Sequence, residues 1–181
     1  MPLEGRRAML IDAVTELIIE RGTAPTSRDL AEAAGVSEGT IFHVFGDKES
    51  LIQAAVERYL DPEAVPALLR GIAPGLPLDA KVHAIVETLH THLQGAFTLM
   101  AVLGRPVRSA PHEALDEYVE VVSGLVRPEL EGLNFSSEDA ALLMRLVAFS
   151  SSMRGLNEER QFSIDELARF CLYGLAGRPC S

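Results

Sequence analysis

The sequence predicts an all-helical chain, with an N-terminal three-helix domain built around a helix-turn-helix and a C-terminal helical body. Three observations lead there. Apolar residues recur at three- and four-residue spacing in segment after segment. Glycines and prolines punctuate the segments at their ends, and Thr26 with Asp29, then Ser163 with Glu166, form capping-box pairs at helix starts.

The first helix is expected over Gly5 to Arg21, where Leu10, Ala13, Val14, Leu17 and Ile18 fall on one side and Gly22 closes it. Arg6 and Arg7 at its start have two readings, as solvated charges or as phosphate or minor-groove contacts from an N-terminal arm. Thr23-Ala24-Pro25 connects to a second helix opened by Thr26, with Leu30, Ala31 and Ala34 on one flank and alanines small enough for a close helix crossing. Gly35 ends it, since glycine takes a left-handed conformation without steric cost, and Ser37 is the expected cap of the next helix. That helix, about Ser37 to Phe45, is two-sided. Val36, Ile41 and Phe45 are apolar, whereas Ser37, Glu38, Gly39, Thr40 and His43 make a face of small and hydrogen-bonding residues. Such a face suits a helix whose first turns approach base edges in a major groove. After Gly46, Asp47 can cap a fourth helix, and Lys48 stands in its first turn beside N–H groups able to hold a phosphate.

Taken together, Arg28, Leu30, Ala31, Ala34, Gly35, Val36, Ser37, Gly39, Thr40, Ile41, Phe45, Lys48 and Leu51 resemble the DNA-binding domain of the tetracycline-repressor (TetR) family, over about the first sixty residues. The resemblance implies a homodimeric transcriptional regulator, most simply a repressor on a palindromic operator, whose last two long helices pair across the dimer in a four-helix bundle. It also implies DNA contacts from Arg28, Ser37, Gly39, Thr40, Phe42, His43 and Lys48. Phe42 stands where the family usually has Tyr, which removes one hydroxyl able to bond a phosphate. Glu38 stands at a position often basic or neutral, and its carboxylate is repelled by phosphate unless it accepts from a cytosine amino group.

The expected division is 1–47 for the helix-turn-helix domain, 48–61 for a connecting helix ended by Asp61-Pro62, and 62–181 for a helical body that binds ligand and dimerises. The tilt of the connecting helix is the natural lever between a bound ligand and the reading head. A short helix is expected over Glu63 to Arg70 within a proline- and glycine-rich passage. The body opens near Leu78 with Val82, Ile85, Val86, Leu89 and Leu93 on one face, and Gly95 is expected to loosen or break that helix. Pro111 to about Glu131 forms another, with Leu115, Tyr118, Val119, Val122, Leu125 and Val126 inward. A helix opened by Ser136 and reaching about Leu156 is apolar almost all round, and such a helix must be buried on every side. With the last helix, Ser163 to Ala176, it is the expected dimer interface. An apolar pocket for a small, largely apolar effector is expected near some of His90, Phe97, Met100, Tyr118, Met144, Phe149 and Phe162, although each of these alone is more often plain core.

His83, Glu87 and His90 have the i, i+4, i+7 spacing of metal ligands on a helix, but no second histidine pair or cysteine accompanies them. No nucleophile with an oriented partner stands near, so the chain reads as no enzyme, with no metal and no cofactor. A metal-dependent helical enzyme is one alternative, and a dimeric interaction module that has lost strong DNA binding is another. The second is motivated by a net charge of -10 and by residues 1–50, which hold five Lys and Arg against nine Asp and Glu. Non-specific affinity comes from neutralising phosphates, so it is expected to be weak and strongly salt dependent. Asp12, Glu16 and Glu20 repeat every fourth residue as a stripe expected to face solvent. Cys171 and Cys180 are too few for a disulfide framework, and no apolar run suits a signal or a membrane span, so a reduced cytoplasm is the expected compartment.

Overall fold

A computed structural model of the chain describes residues 3–104, 112–129, 135–153 and 160–176. Every regular element among them is helical: α1 (Leu3–Arg21), α2 (Ser27–Ala33), α3 (Glu38–Phe45), α4 (Lys48–Tyr59), α5 (Ala64–Leu69), α6 (Leu78–Val102), α7 (His112–Val126), α8 (Ser137–Ser152) and α9 (Ile164–Ala176), with a 3-10 turn at Arg127–Glu129. Pro111, Glu131, Leu156 and Cys180, which the sequence reading places at helix ends and in the tail, lie outside the described residues. The described parts of Met1–Asp61 and Gly95–Arg108 form one compact unit, and those of Pro62–Gln94 and Ser109–Ser181 form another.

The first unit closes around Leu10, Val14, Ile18, Leu30, Ile41, Leu51, Ala55 and Leu99, all fully buried. Burying each of the larger side chains stabilises the unit by about 1.5–3 kcal/mol. Arg58 ties α4 to α1, donating to the Ala8 carbonyl at 3.4 Å and pairing with Asp12 at 3.2 Å. Gly95 corrects the expectation of a break, because α6 runs through it without interruption. A Cβ at Gly95 would overlap the Tyr59 hydroxyl and lie 2.7 Å from Tyr59 Cζ and 3.0 Å from Ile19 Cδ1. The glycine is there to let α6 approach α1 and α4. Its helix penalty, about 1 kcal/mol, is small beside the packing it allows.

In the second unit, α6 contributes Val82, Ile85, Val86 and Leu89, α7 contributes Tyr118, Val122 and Val126, and α8 and α9 contribute Ala140, Ala141, Met144, Ala148, Leu167 and Cys171. The Tyr118 hydroxyl donates to the Ala141 carbonyl at 2.8 Å, joining α7 to α8. α7 stops at Val126, short of the expected end, because Pro128 lacks an N–H and its ring opposes the carbonyl four residues earlier. α8 is covered along only part of its circumference by its own chain. Its Ala140, Ala141, Met144 and Ala148 are buried, yet within the single chain Leu142, Leu143 and Leu146 are exposed, Leu146 by 62%. On α9, Phe170 and Tyr173 are likewise exposed, by 66% and 57%.

Candidate nucleic-acid interface

The geometry of α3 follows from its two ends. α2 begins at a capping box, in which Asp29 N–H donates to Thr26 Oγ1 at 3.2 Å and Thr26 N–H donates to Asp29 Oδ2 at 2.8 Å. Hydrogen bonds from the Thr26 hydroxyl, then from Arg21, hold the Asp29 carboxyl well below the usual carboxylate range. α2 ends in a Schellman motif. Gly35 takes φ 63°, its N–H reaches the Glu32 carbonyl at 3.1 Å, and Val36 N–H reaches the Ala31 carbonyl at 2.9 Å. Val36 then packs on the core that holds Leu30 and Ala31. At the other end Gly46, at φ 83°, closes α3 with its N–H on the Phe42 carbonyl at 2.9 Å. Asp47 caps α4 by accepting from Ser50 N–H at 2.6 Å, and hydrogen bonding from the Ser50 side chain, then from that N–H, lowers its pKa.

Between these ends only Ile41 and Phe45 of α3 are buried. Ser37, Glu38, Gly39, Phe42 and His43 are exposed, and Thr40 is half-buried. Ser37 holds the N-cap position, but its hydroxyl corrects the expected capping bond by lying 3.0 Å from the Thr40 hydroxyl instead of bonding a backbone N–H. Phe42 is 48% exposed, whereas Ile41 and Phe45 beside it are buried. Gly39 has ordinary backbone geometry, and a Cβ there would meet nothing nearer than Ser37 Oγ at 3.8 Å. The fold of the unit therefore places no demand for glycine at 39.

The cations of this unit divide into engaged and free ones. Arg21 pairs with Asp29 at 2.8 Å and Arg58 with Asp12, while the Arg7 guanidinium lies 4.4 Å above the centre of the Phe45 ring. Lys48, the first residue of α4, stands 3.7 Å from Glu49. Arg28 and His43 are exposed, and among the described residues neither has an ion pair or hydrogen bond. Asp12, Glu16 and Glu20 face solvent. The sequence reading did not foresee the engagements of Arg21, Arg7 and Arg58, because each partner lies on another helix and no spacing within one helix announces it.

The residues singled out for a ligand do not gather into one set. Tyr118 and Met144 are core of the second unit, and Phe149 is half-buried in it; Phe97 and Met100 belong to the first; Phe162 is exposed with the Arg160 guanidinium 4.8 Å from its ring centre. His90 Nδ1 lies 3.1 Å from both the Ser151 and the Ser152 hydroxyls, and burial lowers its pKa. Both serines lie more than sixty positions from His90, so no spacing within one helix announces the contact. His83 turns elsewhere, with Nε2 2.9 Å from Asp165 Oδ1 and Nδ1 3.8 Å from Glu87. Among the described residues no three His, Cys, Asp or Glu side chains are grouped to hold a metal ion, and no helix is long and apolar enough to cross a membrane. Burial pushes the Cys171 thiol up to about 11, away from a reactive thiolate.

Residues 10–55, the segment from α1 into α4, match the family model of bacterial regulatory proteins of the tetR family. The chain is similar to the HTH-type transcriptional repressor KstR2 of Rhodococcus jostii, 33% identical over 99 residues that make up 54% of this chain and 48% of that protein. It is also similar to the HTH-type transcriptional regulator BetI of Burkholderia thailandensis, 39% identical over 85 residues, 46% of this chain and 43% of that one. The chain thus spans about half the length of the curated relatives it matches. Over nearly its whole length it shares the fold of a TetR-family transcriptional regulator from Pectobacterium atrosepticum, with TM-score 0.56 at 23% identity over 98% of this chain and 97% of the other. The turn geometry at Gly35 and the two-faced α3 both lie inside the matched segment, and residues 10–55 form the helix-turn-helix segment described by the model of the tetR family of bacterial regulatory proteins.

Proposed function

We propose that the chain is a ligand-responsive, DNA-binding transcriptional regulator of the cytoplasm, a repressor that binds a near-palindromic operator as a homodimer and is released by a small, largely apolar effector. The observation that carries this reading is α3, anchored by Ile41 and Phe45 and free over its outer side, where small and polar residues predominate. Thr40, His43, Ser37 and Phe42 supply the base and sugar contacts, and Gly39 lets the helix sink toward the bases. Arg28 and Lys48, at the starts of α2 and α4, hold phosphates. Two copies joined through the exposed leucines of α8 and the aromatics of α9 place two such helices in successive major grooves, about 34 Å apart. Pairing compensates for the weak phosphate attraction of an acidic chain, because linking two sites raises avidity without new contacts. The effector is read as lodging among His90, Tyr118, Met144 and Phe149 of the second unit, and a small-molecule screen by melting temperature tests that part separately.

The DNA assignment is tested by fluorescence titration of duplex DNA with the Arg28→Ala, Lys48→Ala double variant. Affinity is expected to fall by about tenfold or more, roughly equally on all sequences, and the slope of log affinity against log salt to shrink by about 2. Unchanged binding and slope would remove both residues from the interface.

A further inference from the structure

The outer side of α3 carries Glu38, to which the proposed function gives no role, and Phe42, whose partner on the DNA it leaves open. Glu38 and Phe42 are four positions apart, which sets their side chains side by side on the helix, with Cβ atoms about 5–6 Å from each other. Both are exposed. Among the described residues Glu38 has no ion pair and no hydrogen bond, although α3 lies in a unit where several other charges are paired. Phe42 presents nearly half of its surface while the two other large apolar residues of α3, Ile41 and Phe45, are buried. Neither side chain is explained by the packing of its own chain, and Gly39, exposed next to Glu38, has no side chain to hold a partner away.

On a surface that meets a polyanion, an unpaired carboxylate is repelled everywhere except opposite a donor. The major groove offers such a donor without a neighbouring acceptor on the same base at cytosine N4. Guanine shows two acceptors, thymine shows one, and adenine sets its amino group beside N7. An exposed phenyl ring in the same groove has one apolar feature to meet, the thymine methyl. Resting on the DNA-binding reading above, we infer that Glu38 and Phe42 set the sequence preference of this protein, Glu38 by accepting from a cytosine amino group and Phe42 by covering a thymine methyl. Four helical residues advance about 6 Å along the axis, close to two base-pair steps of about 3.4 Å. Each half-site therefore carries a cytosine and a thymine within about two base pairs of each other.

The test is selection of duplexes from a random pool by the full chain and by the Glu38→Gln and Phe42→Ala variants, each matched to the parent by melting temperature. The parent enriches half-sites with a fixed cytosine near a fixed thymine. Glu38→Gln moves the cytosine position to adenine, because a glutamine amide donates to N7 and accepts from N6 where a carboxylate only accepts. Phe42→Ala loses the thymine position. On the selected site, exchanging that thymine for deoxyuridine deletes only the methyl group; it weakens the parent about fourfold and leaves Phe42→Ala unaffected. Half-sites that keep cytosine in the glutamine variant, or a parent indifferent to deoxyuridine, overturn this assignment while leaving DNA binding intact. If no protein enriches any duplex, the DNA-binding reading falls and the assignment with it.

Discussion

The outward sides of α3 and α8 differ in chemistry, although both helices are anchored by a few buried residues. α3 turns Ser37, Glu38, Gly39 and His43 outward with one aromatic, whereas α8 turns out Leu142, Leu143 and Leu146, joined in character by Phe170 and Tyr173 of α9. Small polar groups on a short helix fit a hydrated, charged partner whose grooves are read by hydrogen bonds. Exposed apolar side chains of this size fit a partner as dry as a protein core. The difference teaches that the two units offer their surroundings different chemistry, which the proposed function assigns to nucleic acid for one and to a second copy for the other.

The comparison breaks most decisively at the apolar side. Leu146→Glu combined with Phe170→Glu is expected to give a monomer by sedimentation and to weaken operator binding by about a hundredfold or more through lost avidity. A dimer of unchanged mass would mean that those side chains serve something else. Inside the first unit, Gly95→Val forces a branched side chain against Tyr59 and Ile19 and is expected to cost about 1–3 kcal/mol, a fall of several degrees in Tm. In a Tyr59→Ala background the penalty of Gly95→Ala should largely vanish in a double-mutant cycle. At the polar side, Gly39→Ala is expected to raise stability by up to about 0.5–1 kcal/mol, since nothing within the chain opposes a methyl group there, while it weakens DNA binding. Parallel gains in both measurements would show that no close approach occurs at 39. The smallest effect is in the second unit. Burial holds His90 and His92 below their ordinary value of 6.5, so the folded state favours their neutral forms. Their contribution to stability is complete above about pH 6.5 and is lost as pH falls through that value toward the lower folded pKa. Urea midpoints at pH 7.5 and 5.5 should show the fall, and His90→Gln should flatten it.

What was legible in the sequence was local. The capping pairs Thr26 with Asp29 and Ser163 with Glu166, the cap at Asp47 and the turn at Gly35 each depend on residues within a few positions, and the structure has them all. Gly95 was misread for the opposite reason. Its local propensity argues for a break, but the deciding contact is Tyr59, thirty-six positions earlier, which no periodicity reveals. Which side of α8 its own chain covers was not legible, because composition says how apolar a helix is and not where its neighbours stand. In the interface, the outward residues of α3 were legible from their mixture of types, whereas the hydroxyl pair of Ser37 and Thr40 and the stacking of Arg7 on Phe45 depend on side-chain directions fixed only by the assembled unit.

Gly35 and Gly46 bracket α3 with backbone conformations, and Ile41 and Phe45 pin it from beneath, so its start, end and roll owe nothing to positions 38, 39, 42 and 43. Those four places behave as a label on a fixed mount. Under the proposed function, rewriting them should redirect the protein to a different address while its assembly stays as it is and its melting behaviour shifts only by the helix propensity of the new residues, which makes α3 a natural insertion point for engineered specificities.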